Sequence, residues 1–220
     1  MTEAHRVVLD AEEREIREHI LEMARLVDQA LWRAIASLRD ADRDAARSVV
    51  DGDERVNDLE RRIERECLIV LASQQPVARD LRAVLAAMHI AAELERIGDH
   101  ARGIAEGVLE LGRALPAGTL ERLVDMAGLS AAMLSRVTGA YHDGDDARAE
   151  EVARDDDALD ALEKQMIDHV LESSKAGETD MGVAARVLWM SHSLERIGDR
   201  VTNIAERVVF MVSGETKELG

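Results

Sequence analysis

Leu94-Glu95-Arg96-Ile97-Gly98-Asp99 recurs letter for letter as Leu194-Glu195-Arg196-Ile197-Gly198-Asp199, displaced by 100 positions in a chain of 220. Such a repeat marks an internal duplication. Working outward, Met23, Leu26 and Leu31 match Met126, Leu129 and Leu134, and Val56, Leu59 and Ile63 match Leu159, Leu162 and Met166, all at an offset of 103. By Asp80 and Asp180 the offset is 100, which places a three-residue deletion near Ser173 to Gly177. An indel is cheapest in a surface connection, so a loop is expected there.

Apolar residues at steps of three and four define the elements. Ile16, Ile20, Met23, Val27, Leu31, Ile35 and Leu38 predict a long amphipathic helix over about residues 10–40. After the polar break at Asp40 to Asp44 and a short periodic stretch around Ala45 and Val49, a second helix runs through Val56, Leu59, Ile63, Cys67 and Leu71. Gln74-Gln75-Pro76 ends it and starts a third, which carries Leu81, Val84, Leu94, Ile97, Ile104 and Val108. Gly112 to Gly118, with Pro116, separates this unit from its repeat. The expected fold is all-α, two tandem three-helix bundles of six long helices, with domains at 1–113 and 119–220.

Composition agrees with that class. The chain is 46% hydrophobic but only 2% aromatic, with two prolines, a profile of helices packed through Ala, Leu, Val, Ile and Met. A formal net charge of −17 argues against nucleic acid, which is held by clustered Lys and Arg, and suits cations or basic partners. Charge alone is equally explained as a solubilising surface. Cys67 is the one cysteine, so an internal disulfide is excluded; with no apolar leader and no apolar run long enough to span a bilayer, a cytoplasmic location is expected.

The repeated string also carries chemistry. Glu95 and Asp99, like Glu195 and Asp199, lie four apart on one helix face. Folding the chain as a hairpin about Gln74 brings the level of Glu95 close to Asp53 and Asn57; in the second copy Glu195 faces Asp156 and Asp160. Four oxygen-bearing side chains from two helices suit a hard cation. A cross-helix polar network with Arg55, Arg96 and Arg196 explains the same residues without a metal. Gly98 and Gly198 each cost a helix roughly 1 kcal/mol against Ala, so they imply either close approach at the motif or a tolerated tight crossing.

Taken together, the repeated E-R-I-G-D, Ile104-Ala105-Glu106 with Asn203-Ile204-Ala205-Glu206, the segment Gln75-Pro76-Val77-Ala78-Arg79-Asp80-Leu81-Arg82 and the closing Val208 to Gly214 resemble the PhoU family of phosphate-uptake regulators, over nearly the whole chain. The resemblance implies a cytoplasmic, non-enzymatic adaptor, commonly a homodimer. Such an adaptor restrains the phosphate ABC transporter and relays phosphate sufficiency to a sensor histidine kinase. It also implies divalent or trivalent metal ions, as iron or zinc clusters, on Asp53, Asn57, Glu95, Asp99, Asp156, Asp160, Glu195 and Asp199. The first copy departs from the pattern at Gly103, where the second has Asn203, and Asn57 lowers the charge of its site.

Two alternatives stand beside this reading. One is a carboxylate-bridged di-metal enzyme, but its Glu-x-x-His pairs are missing: no histidine of the seven has Glu or Asp three residues before it. The other is a purely structural helical scaffold. His89, His169 and His192 read as packed or surface residues, and His100 is replaced by Arg200 in the second copy, which argues against a symmetric ligand role. Cys67, Trp32 and Trp189 read as packing residues, and no phosphate-cradling loop or anion pocket is evident.

Overall fold

In the computed structural model, which describes residues 3–219, each repeat folds into three long helices and one short one. The first holds α1 (Glu3–Asp40), α2 (Arg43–Gly52), α3 (Glu54–Gln74) and α4 (Ala78–Leu111); the second holds α5 (Ala117–Asp143), α6 (Asp146–Ala153), α7 (Asp156–Lys175) and α8 (Met181–Ser213). The six long helices are those the periodicity predicts. The short α2 and α6 are additional.

Both short helices follow an aspartate whose carboxylate accepts from backbone amides of the new first turn. Asp42 accepts from Asp44 and Ala45, each at 3.0 Å, and Asp145 from Arg148 at 3.0 Å. Each then buries two equivalent residues, Ala46 and Val49 in α2, Ala149 and Val152 in α6. Ten and eight residues are too few for a strong periodic signal, so only the repeat of these pairs at an offset of 103 betrays them. Gly112 and Gly144 close α4 and α5 in the left-handed conformation, at φ 62 and 66. The change of offset falls across the α7–α8 connection, as expected, but the deletion shortens the helix ends and not the loop: α7 ends at Lys175 and α8 begins at Met181, a longer connection than the Gln75, Pro76 and Val77 between α3 and α4.

Within each repeat the long helices pack on one another, α1 with α3 and α4, α5 with α7 and α8. The repeats then join through α4 and α8, which run antiparallel against each other along their lengths. Contacts progress from Arg82, which donates to the Met211 carbonyl at 3.4 Å, through Asn203, which donates to Glu93 at 3.2 Å, to Arg113 on Asp180 at 2.7 Å. Leu94, Ile97, Ala101, Ile104 and Val108 form the buried seam read from the sequence, and one hydrophobic core continues across both repeats.

Gly103 and Gly107 explain how two such helices come so close. A Cβ on Gly103 would stand 2.4 Å from Cη2 of Trp189, and one on Gly107 would stand 2.4 Å from Cε of Met190. The departure at Gly103 is therefore a seat for the Trp189 ring, while Asn203 meets Glu93 instead. Gly103→Asn is expected to cost about 1–3 kcal/mol by overpacking. Trp189→Ala in the same chain should restore much of that loss, with a coupling of about 1 kcal/mol or more between the two sites. Urea denaturation of the four chains measures it; additive effects would place the ring elsewhere.

Candidate metal centre

The start of the second long helix of each repeat lies against the middle of the third. In the first repeat a Cβ on Gly98 would stand 3.2 Å from Cγ1 of Val56 and 3.7 Å from Oδ1 of Asp53. In the second, the corresponding atom on Gly198 would stand 2.6 Å from Cδ2 of Leu159 and 2.7 Å from Oδ1 of Asp156. The repeated glycines thus admit the incoming helix. Each also brings an aspartate of that helix beside the motif.

The first-repeat site is neutralised from within. Asp53 is 8% exposed; it accepts from the Asn57 side-chain amide at 3.3 Å and from Arg102 at 3.5 Å. Arg102 also pairs with Asp99 at 3.5 Å and Glu106 at 3.0 Å. Burial, and then Asp99, push the Asp53 carboxyl up from its usual range; burial, Asp99 and Glu60 do the same to Glu95. Glu60, one turn beyond Asn57, thus joins the site opposite Glu95, while Asp53 sits at the level of Gly98 and Arg102.

The second site has no equivalent of Arg102, whose repeat position holds the buried Thr202, and the arginine that acts on it is Arg196. Asp156 lies near Asp160 and Asp199, and Glu195 near Asp199, Glu163 and His192, but of these only Glu163, His192 and Glu195 bring their ligand atoms within 4.8 Å of one another. The Nδ1 atom of His192 lies 3.1 Å from Glu163 and 3.3 Å from Glu195. Arg196 pairs with Asp199 on the outer side. Burial, then Asp199 and Asp160, push Asp156 up to about 6; burial, then Asp199 and Glu163, push Glu195 up to about 7. Oδ1 of Asp156 and Oε2 of Glu195 are buried without a hydrogen-bond donor. Asn57 Oδ1 in the first site is likewise unbonded.

That donor set suits a cation. Clustered carboxylate oxygens with one imidazole fit an oxygen-preferring or borderline metal, and a bound ion would satisfy the unbonded oxygens while offsetting their mutual repulsion. Glu163, His192 and Glu195, whose ligand atoms lie within 4.8 Å of one another, would hold it, with Asp156, Asp160 and Asp199 further along the same acidic face. Arg102 competes for the same role in the first repeat. Of the arginines the sequence suggests as neutralising groups, Arg96 is instead engaged by Glu93 at 2.7 Å. A separate group, Glu15, His19 and Glu66, is already tied together by Arg62 and the 2.8 Å contact of His19 with Glu66. Glu60, Glu163 and His192 are the members that sequence reasoning missed. The recurrence of Glu60 as Glu163 at an offset of 103 was the available signal; His192, whose repeat equivalent is Ala92, gave none. Cys67 is fully buried, and burial pushes its thiol up to about 12, so it stays protonated within the core.

The architecture and its paired acidic sites define a duplicated helical protein of a known kind. The PhoU domain model matches residues 20–108 and again 123–208. The "Phosphate-specific transport system accessory protein PhoU homolog" of Streptococcus pneumoniae serotype 4 is 31% identical over 96% of this chain and 97% of its own. The "Phosphate-specific transport system accessory protein PhoU" of Edwardsiella tarda is 34% identical over 94% of this chain and 85% of its own. Crystal structures of PhoU from Streptococcus pneumoniae and Pseudomonas aeruginosa superpose with TM-scores of 0.89 and 0.89, at 29% and 30% identity, over 96% and 94% of this chain and 100% and 99% of theirs. This chain belongs to the PhoU family.

Two outcomes follow from the geometry. Gly198→Ala should destabilise the fold by about 1–3 kcal/mol, since contacts at 2.6 and 2.7 Å exceed the roughly 1 kcal/mol that Ala gains in a helix. Gly98→Ala, at 3.2 and 3.7 Å, should lie within about 1 kcal/mol of the parent. Thermal melts of both variants test this, and equal effects would contradict the closer approach in the second repeat.

The second outcome concerns pH. Asp156 and Glu195 have folded-state values above their ordinary 3.8 and 4.5, so between these limits and about 6 to 7 the folded state binds more protons than the unfolded. Stability of chelator-treated protein should therefore fall as pH rises from about 4.5 to 7.5, and Asp156→Asn with Glu195→Gln should flatten that slope. Melting temperatures across this range measure it, and an unchanged slope in the double variant would show that these carboxyls are not its source.

Proposed function

We propose that this chain is a regulatory accessory protein of a phosphate-specific transport system, acting by contact and not by catalysis. The observation that carries this reading is the match of both PhoU domains and of the whole fold to relatives that bear that name. Among the described residues no helix is long and apolar enough to cross a membrane, so a role at a membrane transporter requires docking on it. In this reading the chain is a homodimer that restrains a phosphate ABC transporter and passes its state to a sensor histidine kinase, with metal ions, iron or zinc among the candidates, fixing the acidic faces. Bound metal would supply positive charge at those faces, with Glu163, His192 and Glu195 as its ligands in the second repeat.

Elemental analysis of protein purified without chelators tests the metal directly. Binding is expected with the second repeat as the dominant locus, lost in Asp156→Asn with Glu195→Gln and retained in Asn57→Ala. Light scattering should return twice the 24.2 kDa chain mass. In cells lacking the native gene, the wild-type chain should restore repression of phosphate uptake and of phosphate-starvation genes, and Asp99→Ala with Asp199→Ala should weaken it. Wild-type repression by a double variant that binds no metal would remove the acidic sites from regulation.

A further inference from the structure

Away from the acidic sites, where the N-terminal ends of α1 and α4 meet the C-terminal ends of α5 and α8, lies a cavity of about 510 Å³. Its lining is unlike the rest of this acidic molecule. Arg6, Arg17 and Arg79 converge on it with Glu13, Asp80 and Tyr141. Arg6 is committed to Asp80 at 2.6 Å and to Asp10 at 2.7 Å, and Asp143, also in the wall, is held by Arg148 at 3.2 Å. Arg17 and Arg79 form no salt bridge among the described residues, and both are exposed to the cavity mouth. Arg17 and Arg79 are therefore two guanidinium groups not held in an ion pair, facing Glu13 as the one wall carboxylate that is likewise not held.

Glu13 does not cancel them fully. Burial, and then the neighbouring Asp80, push its carboxyl up to about 7, and its Oε1 is buried with no hydrogen-bond partner. Tyr141 supplies a second unused polar group. It is 4% exposed, it lines the cavity, and its hydroxyl has no hydrogen-bond partner among the described residues. A buried phenol ordinarily finds a partner. Here the open side of the hydroxyl is the cavity. The 34-residue α4 also begins at this wall with no side-chain cap on its first amides, which adds positive potential.

We propose that this cavity binds the phosphate group of a small anion, with Arg17 and Arg79 as its counter-charges and the Tyr141 hydroxyl as a hydrogen-bond donor. Arginine forks match phosphate oxygens, and the volume lies within the roughly 300–1,000 Å³ of small-molecule pockets, more than a single orthophosphate fills. A phosphate ester of nucleotide size therefore suits it better than the free ion. The site is not duplicated: the repeat equivalents of Arg17, Arg79 and Tyr141 are Leu120, Thr179 and Leu38, so the molecule carries one such cavity end. It spans both repeats, since α1 and α4 come from the first and α5 and α8 from the second. The inference does not depend on the adaptor reading, because binding is measured on the chain alone.

Calorimetric titration of the full chain with orthophosphate, adenosine monophosphate and adenosine tests it. Saturable binding of orthophosphate or the nucleotide is expected at a dissociation constant on the order of 1 mM or tighter. Tighter binding of the nucleotide identifies an ester as the ligand, and equal binding the free ion. Arg17→Gln with Arg79→Gln, both surface changes that leave the core intact, should weaken it at least about tenfold. Tyr141→Phe should weaken it a few-fold, and Glu13→Gln, which removes a negative charge, should strengthen it. No saturable binding of either phosphate compound overturns the proposal. So does binding that the double arginine variant leaves unchanged, or adenosine binding as tightly as its monophosphate.

Discussion

The antiparallel seating of α4 on α8 is the constraint on which the rest of the molecule depends. It joins the cores of the two repeats and sets which faces of these helices remain for chemistry. Leu94, Ile97, Leu194 and Ile197 are consumed by burial, at 1% exposure or less. Glu95, Asp99, Glu195 and Asp199 are thereby turned toward α3 and α7. An amphipathic helix with one stripe for a partner has a second stripe to spare, and here that second stripe is acidic. The glycines at 98 and 198 then let the neighbouring helix come close enough for its aspartates to share the same space, and burial there, followed by the neighbouring carboxylates, forces Asp53, Glu95, Asp156 and Glu195 upward in pKa.

Much of this was legible from the chain. Periodicity located the six long helices because each buries a stripe over many turns, and the change of offset from 103 to 100 located the α7–α8 connection. The eight acidic and amide residues of the two stripes were named from hairpin register. What register left out was one turn of detail: Asp53 faces Gly98 and Arg102, while Glu60 stands opposite Glu95. A hairpin pivot estimated from a loop carries an error of about a turn, since three or four residues separate neighbours on one helix face. His192 was invisible for a different reason, being unmatched in the other copy; its role appears only when Glu163 is placed beside it. The arginine-lined cavity was equally hidden, because residues 6, 17, 79 and 141 share no motif and meet only in the tertiary fold.

Duplication supplies two copies of a surface, and the differences between them show what each has become. At the first site Arg102 and Asn57 give Asp53 donors of its own, a balance that lets the carboxyl stay buried without an ion. At the second site Thr202 replaces the arginine and Asp160 replaces the amide, which raises the local negative charge and leaves Arg196, paired with Asp199, to offset it. Burying several carboxylates without compensation is costly, and proteins answer by protonation, pairing or metal coordination. The upward shifts of Asp156 and Glu195 are the first of these answers. A bound cation would also use the unbonded oxygens.

The same reasoning separates the two ends of the α4–α8 contact. Where α4 ends and α8 begins, Arg113 meets Asp180 and Arg186 meets Glu110, so each cation is spent on a carboxylate across the interface. Where α4 begins and α8 ends, Arg6 is spent on Asp80, but Arg17 and Arg79 are not, and Tyr141 closes the wall without a partner for its hydroxyl. One end is therefore a closed polar clasp and the other an open space between the repeats with two guanidinium groups not held in an ion pair. Any ligand held there would touch helices from both halves of the chain, so its binding energy would depend on how the halves are set against each other.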